Sequence, residues 1–193
     1  VSLSSKPQPE GAPGPLPVQA TGSRDVRWQP ILLRAVVALA FGALTIFWLQ
    51  PSVQVLAWAM AAYLVATAVT LAAARSVPMV IAGVVGLCGV ASAVTQSDAG
   101  VAASAASGLL VLGATEIVAG LRNRKRNALA RDWLISGVIG VGTAALLPFF
   151  VNLGAHALLG VAGGGAVLTG VLWVLSGLSL RHDGRPAPAE AVN

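Results

Sequence analysis

Charge is scarce in this chain: only 10% of its 193 residues are Asp, Glu, Lys or Arg, whereas a water-exposed domain normally carries about 25%. A surface that poor in charge does not suit water. Cysteine is scarcer still, and the lone Cys88 excludes a disulfide framework within the chain. The only histidines are His156 and His182, so with one thiol there is no recognisable set of zinc ligands. Serine nucleophiles need a base within reach, and no serine in an apolar run has a histidine nearby in sequence. Neither enzyme chemistry nor a cofactor is expected. Low hydrophobicity, the mark of a disordered chain, is also missing, since 56% of residues are hydrophobic and the mean hydropathy is +0.80.

What is present is a series of apolar runs. Residues 1–29 are rich in Ser, Pro, Gly and Gln and carry no apolar periodicity, which reads as a disordered tail. From residue 30 to 180, punctuation divides the chain into six segments: Ile31 to Leu49, Val53 to Ala74, Val77 to Thr95, Val101 to Leu121, Trp133 to Val151 and Ala157 to Leu180. Each is near the ~20 residues a helix needs to cross ~30 Å of hydrocarbon. Strands are excluded because the runs lack period-two alternation, and an open sheet in lipid leaves backbone groups unpaired. Residues 181–193 form a second polar tail. The fold class expected is all-α, a polytopic bundle of six transmembrane helices.

The separators alternate in charge. Gln50 to Ser52, Gln96 to Gly100 and Asn152 to His156 contain no Lys or Arg. Every basic residue falls on the other set: Lys6, Arg24 and Arg27, then Arg34 one turn into the first helix, Arg75, the run Arg122, Arg124, Lys125, Arg126 and Arg131, and finally Arg181 and Arg185. Positive-inside bias places that set, with both termini, in the cytoplasm. The net charge of +5 follows from topology, and nucleic acid is not the expected partner, because no basic stripe is interleaved with aromatics. Use of Arg over Lys, with abundant Ala and Gly, fits a GC-rich bacterial genome. Trp28 and Trp133 fall at the inner boundary and Trp48 at the outer one, where indole rings favour headgroups. Trp58, Trp173 and Tyr63 lie within helices and are expected to pack against neighbours.

Arg34 and Pro51 are seventeen residues apart, as are Arg131 and Pro148. Seventeen helical residues rise ~25 Å, so an arginine snorkelling to one surface leaves the proline near the other, where a helix can end or kink. Gly42 follows Arg34 by eight residues, Gly83 follows Arg75 by eight, and Gly140 follows Arg131 by nine. The reading is three helical hairpins, the second with Ser92 in place of proline. The stretch Leu33 to Gly42, with Trp48-Leu-Gln-Pro51 and a second helix ending at Arg75, resembles the opening hairpin of HdeD-like membrane proteins, in which Arg, apolar run, Gly, apolar run, Pro recurs; Arg131, Gly140 and Pro148 resemble a later copy. The resemblance, over Leu33 to about Leu180, implies six helices and a bacterial inner-membrane protein of stress-related or unknown function. It supplies no catalytic residues.

Candidate site residues are few. Glu116 is the one acid well inside a segment, ~9 Å from the boundary at Arg122, where charge is costly unless paired. Two readings stand: an ion pair with Arg34 or Arg75, or a proton or cation site on the path of a small transporter or channel. Asp98 and His156 are expected in outer loops as solvated residues. Gly160 with Gly164, Gly83 with Gly86 and Gly89, and Gly113 with Gly120 are expected to let helices approach closely, within the bundle or between protomers. Arg122, Arg124, Lys125 and Arg126 are candidates for contact with anionic lipid or a soluble partner. A non-enzymatic structural or accessory role, in a homo-oligomer or a larger membrane complex, is the function expected.

Overall fold

A computed structural model describes residues 28–75, 77–125 and 129–183. Residues 1–27, most of the expected C-terminal tail, and Arg126 lie outside that set. The described secondary structure is entirely helical: α1 (Trp28–Phe47), α2 (Val53–Ala74), α3 (Met79–Thr95), α4 (Asp98–Asn123), α5 (Ala130–Phe150), a short 3-10 turn (Val151–Leu153) and α6 (Gly154–Asp183). No strand occurs among the described residues. Helices α1, α2 and α4, and the 53-residue stretch Ala130–His182 that holds α5 and α6, are long and apolar enough to cross a membrane. With four such stretches, the chain is a multi-pass membrane protein. Helix α3 is the shorter apolar helix, with 17 residues.

Local chemistry explains where helices begin and end. Ser52 accepts a hydrogen bond from the Val55 amide at 3.3 Å and Ser97 one from Gly100 at 3.1 Å, capping α2 and α4 in the manner that typically contributes about 1 kcal/mol. Ser97 thus draws α4 back to Asp98, and the acid expected in a loop becomes the first residue of a 26-residue helix. Pro78 holds α3 to a start at Met79. Helix α2 ends on Arg75 in the left-handed region (φ 49°), whose amide donates to Ala72 O at 3.1 Å. Pro148 sits inside α5, two residues before its end. The chain then turns over Val151–Leu153, and Gly154 at φ +80° makes the reversal that an L side chain resists. His156, expected in a loop, is an exposed residue of the first turn of α6, and Arg181 and His182, expected in the C-terminal tail, belong to its last turn.

The helices form a closed ring in chain order, with α6 returning to α1; α2, α4 and α6 also meet across the centre. The closest seams are α4 on α5, α6 on α1 and α2 on α3. Glycines explain these approaches. A Cβ on Gly113 would lie 2.7 Å from Gly137 O, and one on Gly137 would lie 2.6 Å from Gly113 O, so the backbones of α4 and α5 meet where neither residue has a side chain. Gly163, Gly170 and Gly177, seven residues apart, face Thr45, Leu39 and Leu32 of α1. Gly89 on α3 faces Ala61 and Leu64 of α2. In lipid there is no hydrophobic force between helices, and such close van der Waals contact is what holds them.

Registers give the helix directions. Rising numbers on α6 meet falling numbers on α1, and the pairs Asp132 with Ser176 and Ser136 with Trp173 run the same way between α5 and α6. Ser92 meets Ser104 and Cys88 meets Gly108 between α3 and α4. Gly113 with Gly137 and Gly120 with Ala130 join α4 to α5, and Gly86 with Ala68 joins α3 to α2. All five seams are antiparallel. The start of α1, the turns after α2 and α4, and the end of α6 therefore share one end of the ring. That end carries Arg75, Arg122, Arg124, Lys125, Arg131 and Arg181, with Arg34 nearly two turns in. At the same end, the Arg181 guanidinium lies over Trp28, 5.4 Å from the ring centre.

Candidate functional site

Arg34 belongs to the buried stripe of α1 that also carries Ala35, Ala38, Phe41 and Gly42. Glu116 belongs to that of α4, with Leu109, Leu112, Gly113 and Gly120. Helices α1 and α4 are not neighbours in the ring, so the two side chains reach across its centre, where Arg34 forms an ion pair with Glu116 Oε1. No other donor reaches that oxygen. The residues are 9% and 4% exposed, a depth at which either charge alone is expensive. The guanidinium also lies over Trp173, 4.8 Å from its ring centre, a contact that contributes about 2 kcal/mol when desolvated. Trp173 Nε1 donates to Ser136 Oγ at 3.2 Å, and one turn nearer the basic end Ser176 Oγ donates to Asp132 Oδ2 at 2.7 Å. Arg34 is thus held by a carboxylate on one helix and an indole on another, and the indole is itself anchored to a third.

Against this pair lies an internal cavity lined by Arg34, Tyr63 and Glu116, by Leu109, Leu112 and Gly113 of α4, by Ser136, Gly140 and Thr143 of α5, and by Ala162, Gly165, Ala166 and Thr169 of α6. The spacing places three helical stripes around one axis. The volume open to water centres is about 20 Å³, room for roughly one water. Tyr63 stacks on Phe41 with ring centres 4.5 Å apart and planes at 16°. One turn further from the basic end the core is apolar: Met60, Ala105, Leu147 and Leu158 are each buried and belong to the hydrophobic cluster. The polar groups that line the cavity therefore occupy one side of the ring's centre, and apolar residues of α2, α4, α5 and α6 close the other, with the partly buried Ser92–Ser104 hydrogen bond beside them between α3 and α4.

The structure joins some of the expected residues and separates others. Of the two arginines offered to Glu116, Arg34 is its partner. Arg75 is exposed at the end of α2, because the left-handed cap turns it out of the bundle. Arg122, Arg124 and Lys125 are exposed, and no acidic partner within salt-bridge range is found for them among the described residues. Gly113 is a packing residue as expected, with Gly86, Gly89 and Gly120. Gly83, Gly160 and Gly164 are not: a Cβ at any of them would meet nothing within 4 Å. They lie on outward faces, so a packing role within the bundle is corrected. Trp58, expected to pack, is 61% exposed, and that expectation is corrected. Among the described residues no three His, Cys, Asp or Glu side chains converge as metal ligands.

Sequence reasoning missed Ser136, Thr143, Thr169 and Gly137, and assigned Trp173 only to packing. The seven-residue spacings Ser136 to Thr143, Leu109 to Glu116 and Ala162 to Thr169 were available as one-face stripes, though nothing in one helix says which stripe faces inward. The chain matches no protein-family model, no curated protein and no solved structure.

Proposed function

We propose that this chain is a non-enzymatic protein of the bacterial inner membrane, crossing it six times as three hairpins with both ends in the cytoplasm. It acts as a structural or accessory component, stress-linked in the way its resemblance to HdeD-like proteins implies. The six crossings follow from counting α3, α5 and α6 as one span each. The cytoplasmic assignment follows from the basic end of the ring, since positive charge is retained on that side. Anionic lipid is the partner proposed for Arg122, Arg124 and Lys125, at about 1 kcal/mol per residue near the surface.

One observation carries the accessory reading over the transporter reading: Glu116 is neutralised within the fold. Its charge is taken by Arg34, its cavity holds roughly one water, and the apolar layer of Met60, Ala105, Leu147 and Leu158 stands between that cavity and the sparsely charged end. A carrier or channel places polar groups or unwound backbone along the whole path. The test is Glu116→Gln in proteoliposomes. The accessory reading expects ion and proton flux equal to that of protein-free vesicles for the native chain and the variant alike, with a reduced folded yield for the variant. Flux above that background in the native chain, abolished by the substitution, would replace it with transport.

A further inference from the structure

We propose that the central cavity is a hydration site, in which a water molecule donates one proton to the Glu116 carboxylate and shares the other between the hydroxyl oxygens of Thr143 and Thr169. The lining decides the occupant. Thr143 Oγ1 donates its proton to Ile139 O at 2.8 Å, and Thr169 Oγ1 donates to Gly165 O at 2.9 Å. Each threonine oxygen is left able only to accept, as is the carboxylate. Ser136 Oγ takes the Trp173 N–H at 3.2 Å and still has its own proton to give, while Tyr63 adds a hydroxyl that can do either. The site needs a molecule that donates twice and also accepts. A further cation would face the Arg34 guanidinium and an anion would face Glu116. An apolar molecule would leave the acceptors unpaired. About 20 Å³ exceeds the roughly 10–15 Å³ that a buried water needs and leaves no space for a larger solute, and the polar partners outnumber the two to four that such a water uses.

The water gives Glu116 a hydrogen bond that Arg34 alone does not supply, and it joins α4 to α5 and α6 at the level where α1 reaches across. This inference rests on the cavity and its lining, not on the threading of the chain or on the accessory role. Water-edited solid-state NMR on the full chain in lipid bilayers, with threonine side chains labelled, tests it directly. Thr67 and Thr70 are the internal controls, because both are buried and neither lines the cavity. Magnetisation from water is expected at Thr143 and Thr169 well before it reaches Thr67 and Thr70, equally with and without sodium or ammonium. Filling the space with Ala166→Leu, or more gently with Ala162→Val, is expected to abolish that lead. Build-up at Thr143 and Thr169 no faster than at the controls would overturn the proposal. A lead that appears only when sodium or ammonium is added would also overturn it, assigning the site to a cation.

Discussion

Removing one partner of the Arg34–Glu116 pair should cost far more than removing both. In Glu116→Gln the guanidinium keeps Trp173 at 4.8 Å but loses its counter-charge at a site 9% exposed. Breaking a buried pair in this way typically costs about 3–5 kcal/mol, a large share of the about 5–15 kcal/mol that a fold retains. The unfolding equilibrium should therefore move by about two to four orders of magnitude. Arg34→Met should cost at least as much, since the contact with Trp173, about 2 kcal/mol when desolvated, goes as well. The double substitution Arg34→Met with Glu116→Leu leaves no buried charge, and replacing a buried pair by apolar groups of similar volume is often neutral or stabilising. It should recover most of the loss, giving a coupling of about 4 kcal/mol or more. Equilibrium unfolding by SDS in lipid-detergent bicelles, followed by tryptophan fluorescence, reads all four chains. If each single variant lies within about 1 kcal/mol of the native protein, or if the double loss equals the sum of the singles, the pair does not hold the ring as argued.

The glycine seams make a paired prediction. Gly137→Ala places a Cβ 2.6 Å from Gly113 O and should destabilise by about 1–3 kcal/mol through overpacking, whereas Gly164→Leu enters open space and should leave the monomer's unfolding midpoint unchanged. A shift of Gly164→Leu in a detergent sizing column, with that midpoint unaltered, would assign its face to contact between protomers. Ser136→Ala removes the acceptor of the Trp173 indole at 3.2 Å and should cost about 1–2 kcal/mol in the same assay. Charge reversal at Arg124 and Lys125 should lower the amount of phosphatidylglycerol that stays bound to the protein purified in mild detergent, with the difference from the native chain disappearing as ionic strength rises.

The sequence spoke most clearly where chemistry is punctuated. The polar turn ending at Ser52 and the charged turns announced element ends, and helix α2 spans the expected Val53–Ala74, whereas Pro78 and the Ser97 cap set the starts of α3 and α4 at Met79 and Asp98, not at the expected Val77 and Val101. Arg34 as a partner of Glu116 was one of two options, because an arginine six residues into α1 and an acid six residues before Arg122 sit at matching depth. Which arginine it was depended on the left-handed cap at Arg75. What stayed hidden was rotation. These helices are apolar all round, so the one-sided pattern that identifies the buried face of a water-soluble helix is absent, and Trp58 and Trp173 looked alike although one is 61% and the other 2% exposed. For the same reason Gly164 could not be told from Gly163, its neighbour, although Gly163 packs on Thr45 and Gly164 meets open space. The heptad of Gly163, Gly170 and Gly177 went unread, and the one with Gly113 and Gly120 was read as packing. The hydroxyls of Thr143 and Thr169 gave no sign of an inward face, since threonine in lipid satisfies itself on its own helix.

Charge placement supports the whole account, and its most direct test is labelling from one side of the membrane. In a Cys88→Ser background, Ala99→Cys lies in the exposed first turn of α4 and Lys125→Cys in the exposed turn beyond its end. A membrane-impermeant maleimide applied to intact bacterial spheroplasts should modify position 99 at once and position 125 only after lysis. Labelling of position 125 before lysis, or of position 99 only after it, would contradict the retention of the basic end in the cytoplasm.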